Sequence, residues 1–518
     1  MNRKESLKKV RSRKKAWDVV IIGGGASGLG AAADAASRGY KTLLLEKYDF
    51  SKGTSSRSTK LVHGGVRYLQ NGDISLVIEA LKERGIMRKN APHLVQDLSF
   101  VIPSYDWWNS PFYGIGLKVY DMMAGKLGLG PSTLLDREET IALIPNVKQD
   151  GLRGGVIYHD GQFDDARMAI SLAQTAANHG ASLLNYCGVT GLLKENDMVT
   201  GVCALDEHSG ETFEIAAKVV INATGVFSDD IMQMDEPKAK KRIKPSQGVH
   251  VVLDKRFLDG PHAIMVPHTT DGRVLFAVPW NDYVVVGTTD TQMDETLVEP
   301  VALEEEIRFI LENAGAYMTT PPQRSDVKSV FSGLRPLAAP EDNGTATKEI
   351  SRHHKVTVST SGLVSILGGK WTTYRKMAED IINTAQSVGG LPERACITQN
   401  LPIHGYDYNS DWSDPLHVYG TDTEKIKALD EDGNESLSEV VHLTPNQIRW
   451  AVREEMALTV EDVLARRSRT LFLNAGESLR LAPRIAQIMA EEMNQDANWV
   501  ADQTAQFDAV SKTYILKA

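Results

Sequence analysis

WDVVIIGGGASGLGAAADAASRGYKTLLLE, residues 17–46, predicts the fold of this chain more directly than any other stretch. An apolar, β-branched run is followed by a glycine-rich turn, an alanine-rich segment and a second apolar run. This order predicts a strand, a helix and a parallel second strand, joined by a right-handed crossover. The segment is therefore expected to form a βαβ unit of a Rossmann-like domain.

Gly23, Gly25 and Gly28 in this segment form the pattern GxGxxG, which is weak evidence by itself. Here the pattern follows a predicted strand and opens a predicted helix, and Glu46 ends the next strand, as a dinucleotide site requires. The glycines allow the backbone to approach a pyrophosphate, and the helix N-terminus presents free N–H groups to it. Glu46 can hold both ribose hydroxyls of an adenosine, so an adenine dinucleotide is expected here.

Two other segments distinguish between FAD and NAD as the expected dinucleotide. GTSSRSTKLVHGGVRYL (53–69) and LGGKWTTYRKMAED (367–380) combine small residues with cations, although they lie far apart in the chain. A long cofactor extended through the domain would contact both segments, whereas a plain NAD dehydrogenase explains neither. FAD is therefore favoured.

Length and composition limit the classes of protein to which the chain can belong. With 518 residues, two or three domains are expected, and 42% hydrophobic and 24% charged residues are ordinary for a globular protein. The three cysteines form no CxxC pair, which fits a reducing compartment. No apolar stretch is long enough for a membrane span, and no signal peptide is expected.

The net charge of −10 is distributed unevenly along the chain. Residues 1–15 carry eight Lys/Arg and one Glu, a charge of +7 that leaves −17 for the rest. Such a basic arm is expected to be a disordered tail, with contact to an anionic membrane or to nucleic acid as alternatives. The acidic body disfavours nucleic acid, because it has no basic stripe with aromatic residues.

The order of apolar and polar segments predicts an α/β (α+β) architecture. It comprises a Rossmann-like FAD-binding domain, an inserted mixed β-sheet substrate domain and a C-terminal helical domain. Thr444 and Thr459 stand where helix N-caps are expected in the last of these. The expected boundaries are 1–15 for the basic tail, 16–95, 150–245 and 355–395 for the FAD domain, 96–149 and 246–354 for the substrate domain, and 400–518 for the helical domain.

Four segments together resemble the FAD-dependent glycerol-3-phosphate dehydrogenase family, within the D-amino-acid-oxidase-like flavoproteins. Residues 18–69 are similar to its N-terminal signature, and 271–291 to its substrate-sheet hairpin. SVFSGLRPL (329–337) and GLVSILGGKWTTYRKMAE (362–379) resemble its arginine-bearing strand and its closing flavin motif. The tandem of HGGxRYL, SGxRPL and GGKxTTYR is more specific than the glycine fingerprint.

The resemblance implies oxidation of sn-glycerol 3-phosphate to dihydroxyacetone phosphate, with electrons passed from the flavin to a quinone. It implies a cytoplasmic protein bound peripherally to the inner face of the cytoplasmic membrane. Whether the chain forms a homodimer is left open. The related oxidases use oxygen and usually carry an extra segment, for which 290–330 leaves no obvious room, so the dehydrogenase is favoured. A flavoenzyme for a 2-hydroxy acid or amine, and a flavin-containing nucleic-acid-associated protein, are the weaker alternatives.

The resemblance also implies roles for particular residues. Arg67, Tyr68, Arg335, Arg352 and Lys370 are expected to bind the substrate, because arginine binds phosphate through two parallel hydrogen bonds. Arg335 and Lys370 are expected to act with His250, the candidate base, although a buried structural histidine is the competing interpretation. No metal site is expected.

The cofactor is expected to contact residues from all the glycine-rich segments. They are Gly23, Gly25, Ala26, Ser27, Gly28, Glu46, Lys47, Thr54, Ser55, Ser56, Lys60, Leu61, His63, Gly65, Ala223, Gly225, Gly369, Lys370 and Thr372.

Overall fold

The structure is a computed structural model that describes residues 1–65, 73–106, 116–118, 120–123, 128–339 and 353–517. The strands, in chain order, are β1 (Trp17–Ile22), β2 (Thr42–Leu45), β3 (Leu61–Val62), β4 (Val95–Ser104), β5 (Thr133–Leu135), β6 (Gly154–Phe163), β7 (Ser182–Leu184), β8 (Cys187–Glu195), β9 (Met198–Asp206), β10 (Thr212–Asn222), β11 (Ile243–Asp254), β12 (Ala263–Val266), β13 (Leu275–Trp280), β14 (Tyr283–Gly287), β15 (Thr291–Gln292), β16 (Ser329–Ala338), β17 (His354–Val358) and β18 (Val364–Gly368). The helices are α1 (Arg3–Ser12), α2 (Ala26–Ser37), α3 (Ile74–Asn90), α4 (Arg137–Leu143), α5 (Asp165–Asn178), α6 (Ser228–Asp235), α7 (Glu304–Gly315), α8 (Tyr374–Val388), α9 (Thr423–Lys427), α10 (Pro445–Glu454), α11 (Thr470–Leu473), α12 (Ala475–Met493) and α13 (Ala497–Ser511).

The first sheet contains the predicted βαβ unit at its centre. Its strand order is β17–β18–β10–β1–β2–β7, and β1 pairs in parallel with both β10 and β2. Helices α2, α5 and α8 pack on one face of this sheet. Gly30 permits the close approach of α2 to α8, since a Cβ at this position would lie 2.9 Å from the Tyr374 ring. The Rossmann-like expectation is therefore confirmed.

The second sheet is mixed, in the order β15–β11–β14–β13–β12–β4–β6–β3, with β16 on β11 and β5 on β6. Its strands β3 and β6 come from segments that the sequence assigned to the cofactor domain, yet they pair in this sheet. Backbone pairing is the reason, because β6 forms a long antiparallel ladder with β4, and β3 pairs with β6. The second sheet thus includes strands that the order of the motifs placed with the first sheet.

The helices after residue 444 pack on the second sheet and bury apolar side chains of β11, β14 and β16. The predicted cap at Thr444 is present as a capping box with Gln447. The segment with Thr459 is also capped, but it continues as a π-helix, Asp462–Arg467, instead of an α-helix. The expected helical C-terminal region is therefore confirmed, with a local change of helix type at Asp462–Arg467.

Residues 3–12 are not a disordered tail, which corrects the expectation for the basic arm. They form α1, whose Leu7 and Val10 are buried against the first sheet. Arg3 forms an ion pair of 3.0 Å with Asp206, and Arg11 pairs with Glu211. The two apolar side chains share one helix face, and the acidic partners on the body compensate the charges of Arg3 and Arg11. Among the described residues, no helix combines the length and the hydropathy needed to cross a bilayer.

Candidate active site

A cavity of about 1070 Å³ extends from the first sheet to the second. Its wall contains residues from every glycine-rich segment that the sequence analysis singled out. The expected cofactor residues on this wall are Gly23, Gly25, Ala26, Ser27, Glu46, Lys47, Thr54, Ser55, Leu61, His63, Gly65, Ala223, Gly225, Gly369, Lys370 and Thr372. His250 and Arg335 line the same cavity. Arg67, Tyr68 and Arg352 lie outside the described residues.

The end of the cavity at β1 is shaped for close approach of a ligand to the backbone. Gly23 has φ of +109°, and a Cβ there would lie 2.6 Å from the carbonyl oxygen of Ala223. Gly25 precedes the first turn of α2 and provides no side-chain cap for its N–H groups. Ser55 Oγ accepts from the N–H of Ala26 at 2.9 Å, and the partial positive charge of this helix N-terminus fits a pyrophosphate. Gly28 is absent from the cavity wall; a Cβ there would be 1.9 Å from the Gly23 oxygen, so this glycine serves helix–strand packing.

The Glu46 carboxylate is held by backbone N–H groups on both of its oxygens. Gly24 donates to Oε2 at 2.6 Å, and Tyr48 donates to Oε1 at 2.8 Å. Burial raises the pKa of Glu46, although these two hydrogen bonds oppose the rise. A carboxylate oxygen can accept more than one hydrogen bond, so both oxygens can still accept from ribose hydroxyls. This end of the cavity therefore fits the adenosine half of FAD.

Ser56 and Lys60 are buried away from the cavity, in contrast to the expectation that they contact the cofactor. The Lys60 ammonium donates to the Ser56 carbonyl and to Asp165, each at 2.7 Å. Burial lowers the pKa of Lys60 to about 7, with Arg469 contributing and Asp165 opposing. The ion pair of Lys60 and Asp165 thus anchors the loop 49–60 on the side away from the cavity. Asp165 is a residue that no motif could have identified.

Two glycine-rich segments meet at the other end of the expected cofactor region. The N–H of His63 donates to the Thr372 hydroxyl at 3.4 Å, and the Trp371 indole donates to the Ser55 carbonyl at 2.8 Å. Gly369 has φ of +89°, and a Cβ there would lie 2.4 Å from the Met377 sulfur. The segments 53–65 and 368–372 are thereby held together, as a single extended ligand requires.

His250 is buried on β11, with its ring stacked on Phe331 at 4.8 Å between centroids. Its Nε2 lies 2.9 Å from the Thr59 hydroxyl. Within the described residues, its Nδ1 has no hydrogen-bond partner. Burial lowers the pKa of His250 well below its ordinary value, and Lys60 and Arg335 lower it further. The imidazole is therefore neutral near pH 7. Thr59 was missed, although it stands in a hydroxyl-rich motif.

Arg335 lies on β16 with its guanidinium fixed by the neighbouring strands. It donates to the Gln247 carbonyl at 3.3 Å, to the Thr288 hydroxyl at 3.2 Å and to the Thr289 carbonyl at 3.0 Å. Gly248 makes room for this arrangement, because a Cβ there would lie 2.5 Å from Nη2. A fixed cation on the cavity wall fits an anionic group of a ligand, which would share it with Asp290, whose carboxylate lies 3.6 Å from Nη1. In the described part of the chain, no cluster of His, Cys, Asp and Glu could hold a metal ion.

Comparisons with known proteins agree with this geometry. A family described as "FAD dependent oxidoreductase" matches residues 18–375, and one described as "C-terminal domain of alpha-glycerophosphate oxidase" matches 364–500. The chain is 40% identical to a mitochondrial glycerol-3-phosphate dehydrogenase of Bos taurus, over 93% of this chain and 71% of that protein. It is 36% identical to the one of Schizosaccharomyces pombe, over 96% and 87%. The structure of the glycerol-3-phosphate dehydrogenase from Bacillus halodurans complexed with FAD superposes with a TM-score of 0.80, at 27% identity, covering 99% of this chain and 98% of that one.

Proposed function

The chain belongs to the FAD-dependent oxidoreductase family of the glycerol-3-phosphate dehydrogenases, and from this membership we propose that it oxidises sn-glycerol 3-phosphate to dihydroxyacetone phosphate. Its cofactor is FAD, as the sequence predicted. When bound, FAD supplies the acceptor for the hydride that leaves C2 of the substrate. The observation that carries the proposal is the shared cavity, in which a fixed arginine and a neutral histidine lie beside the two glycine-rich segments.

In this proposal, the cationic side chains of the cavity bind the phosphate of the substrate. Arg335 has a preorganised fork, and Lys370 lines the same cavity, so both can neutralise a phosphate dianion. Arg67, Tyr68 and Arg352 are proposed as further substrate contacts on the basis of their motifs alone. We keep the proposed division into cofactor, substrate and helical domains, with β3 and β6 moved to the substrate sheet.

Removal of the hydroxyl proton is assigned to His250. Its neutral form can accept a proton, and Nδ1 is the nitrogen without a partner in the described structure. This requires Nε2 to carry the hydrogen and to donate it to Thr59. Thr59 would thus fix the tautomer that leaves Nδ1 ready to act as a base.

Replacing His250 with asparagine is expected to lower kcat about 100-fold, since general-base catalysis typically contributes roughly two to four orders of magnitude. Bound FAD, measured by absorbance, should remain. His179→Asn is the matched control, because His179 is exposed at the end of α5 and should be silent. An unchanged kcat in His250→Asn would instead mean that this histidine is structural.

The proposed electron acceptor is a quinone at the inner face of the cytoplasmic membrane. Exposed Lys4, Lys8, Lys14 and Lys15 on and beside α1 support attraction to anionic lipid. Charge reversal of all four should weaken binding to phosphatidylglycerol vesicles, whereas equal binding would contradict this attachment. An oxidase that uses oxygen is the second candidate, favoured by the similarity of residues 364–500 to an oxidase domain.

The proposed reaction can be tested directly by adding sn-glycerol 3-phosphate to the purified yellow protein without oxygen. The flavin absorbance band should bleach, whereas glycerol without the phosphate should leave it unchanged. A band that persists with sn-glycerol 3-phosphate contradicts the proposed substrate. Repeating the reaction in air with a peroxide assay separates the oxidase from the dehydrogenase.

A further inference from the structure

A row of side chains crosses the second sheet on the face that borders the cavity. His250 on β11 is in register with Gly287 on β14, and Gly287 with Phe276 on β13. Phe276 is in register with Met265 on β12. Since neighbouring strands lie about 4.8 Å apart, Phe276 is roughly 10 Å from His250. The cavity therefore continues well past the residues assigned to substrate.

This continuation, which we call the aromatic arm, is lined by Phe100, Tyr158, Met265, Arg273 and Phe276. The rings of Phe100 and Tyr158 are stacked at 5.1 Å between centroids, and Phe276 meets Phe100 edge-on at 5.9 Å. Phe100, Tyr158 and Met265 are buried, whereas Phe276 and Arg273 are partly exposed. The arm is thus an apolar slot whose two partly exposed residues lie at the start of β13 and just before it.

Two of the residues that line the aromatic arm carry hydrogen-bond donors, Arg273 and Tyr158. Nη1 of Arg273 is buried without a hydrogen-bond partner among the described residues, while Asp271 pairs with the rest of the guanidinium. The Tyr158 hydroxyl donates to the Met265 sulfur at 3.5 Å, and a thioether is a weak acceptor. Burial also raises the pKa of Tyr158, so that its hydroxyl stays protonated. Both groups can therefore donate to a ligand oxygen, which is a stronger hydrogen-bond acceptor than a thioether.

The nearby carboxylate does not make the arm anionic. Asp160 lines the cavity close to Tyr158, but Arg84 pairs with it at 2.7 Å and the Tyr120 hydroxyl donates to it at 2.8 Å. The arm therefore combines flat apolar walls with two donors and a compensated charge. A planar ring that carries carbonyl acceptors is the ligand that suits these properties.

We propose that the aromatic arm binds the ring of the quinone that accepts electrons from the reduced enzyme, with Arg273 and Tyr158 donating to its two carbonyl oxygens. This inference rests on the proposed function. Oxidation of glycerol 3-phosphate to the ketone releases two electrons and two protons, and reduction of a quinone to its quinol consumes the same number. No other oxidant or reductant is needed for the balance.

The test uses the FAD-loaded enzyme and the short quinone 2-methyl-1,4-naphthoquinone. Enzyme reduced anaerobically with sn-glycerol 3-phosphate is mixed with the quinone, and the return of the flavin band is followed. Equilibrium dialysis of the oxidised enzyme gives the quinone Kd. Arg273→Met and Tyr158→Phe should each raise the Kd and the half-saturating quinone concentration about tenfold, as loss of one such hydrogen bond predicts. Bleaching by sn-glycerol 3-phosphate should keep its rate.

Arg256→Met is a closely matched control. Arg256 is paired with Asp326 and lies over Phe257, much as Arg273 is paired with Asp271 and lies over Phe309. Arg256 is exposed and should leave both readouts unchanged. Three results would overturn the inference, each in a recognisable way. Wild-type enzyme that bleaches but is not reoxidised by the quinone would remove the proposed acceptor as well. Normal wild-type reoxidation with unchanged Kd in both variants would remove the arm alone. Equal slowing of bleaching would assign the arm to the substrate.

Discussion

Replacing Arg335 with alanine is expected to lower kcat/KM for sn-glycerol 3-phosphate about 1000-fold while FAD stays bound. Two charge-assisted hydrogen bonds to the phosphate contribute roughly 1.5–3 kcal/mol each, and about 4 kcal/mol corresponds to three orders of magnitude. The fork is preorganised by Gln247, Thr288 and Thr289, so little side-chain entropy is lost on binding. Steady-state kinetics and the flavin absorbance of the purified variant measure both parts of the expectation.

Two comparisons separate phosphate binding by Arg335 from a general defect. Arg335→Lys keeps the charge but loses the fork, so its kcat/KM should fall between those of the alanine variant and the wild type. Arg484→Ala removes an exposed arginine of α12 and should have no effect. If Arg335→Ala lost its flavin, or retained the wild-type kcat/KM, the assignment of this residue to the phosphate would be wrong.

Asp49→Ala is expected to lower the free energy of unfolding by about 4 kcal/mol, because breaking a buried ion pair typically costs 3–5 kcal/mol. Asp49 is buried and accepts from Arg466 at 2.6 Å and from Arg467 at 2.6 and 3.0 Å. Without it, two buried arginines lose a shared partner. Since a chain of several domains need not unfold in one step, the first transition of the FAD-loaded protein in urea is the quantity to compare.

The pH dependence of the Asp49 contribution has a definite sign. Burial alone would raise the pKa of this carboxyl, but Arg467 and Arg466 lower it to about 2. A carboxyl with a pKa below its unfolded value stabilises the fold above that value, so the contribution is lost as the pH falls from about 4 towards 2. Asp508→Ala removes an exposed pair with Lys512 and serves as the control. Equal unfolding midpoints for the wild type and Asp49→Ala would refute the expectation.

The first sheet could be predicted because the residues that specify its strands and helix lie close together in the sequence. The alternation of apolar run, glycine turn and alanine-rich segment in 17–46 specifies strand, turn and helix within a few residues of each other. The cap at Thr444 was predictable for the same reason, as its partner Gln447 is one turn away. The position of His250 and Arg335 on one cavity followed from motifs, which report on a ligand as well as on a backbone.

Long-range partners explain what could not be predicted. Lys60 stands in a cofactor motif, yet it turns inward because Asp165, 105 positions later, accepts its hydrogen bond. The basic segment 1–15 looked like a tail because its charge dominates its composition, whereas Leu7 and Val10 determine that α1 docks. Strand β6 belongs to the second sheet because β4 offers it a ladder, which no property of β6 alone reveals.

The loop 49–60 is held by residues that are translated much later than the loop itself. Asp49 and Arg467 are 418 positions apart, and the Ser56 carbonyl accepts a hydrogen bond from Arg469, which is similarly distant in the sequence. At roughly 5–20 residues per second, translation needs roughly 20–80 s to cover that distance. During this interval the nascent βαβ unit can form, but one side of its nucleotide pocket has no support. We therefore expect flavin to be acquired after release from the ribosome, so that free FAD limits the yield of yellow protein when expression is fast.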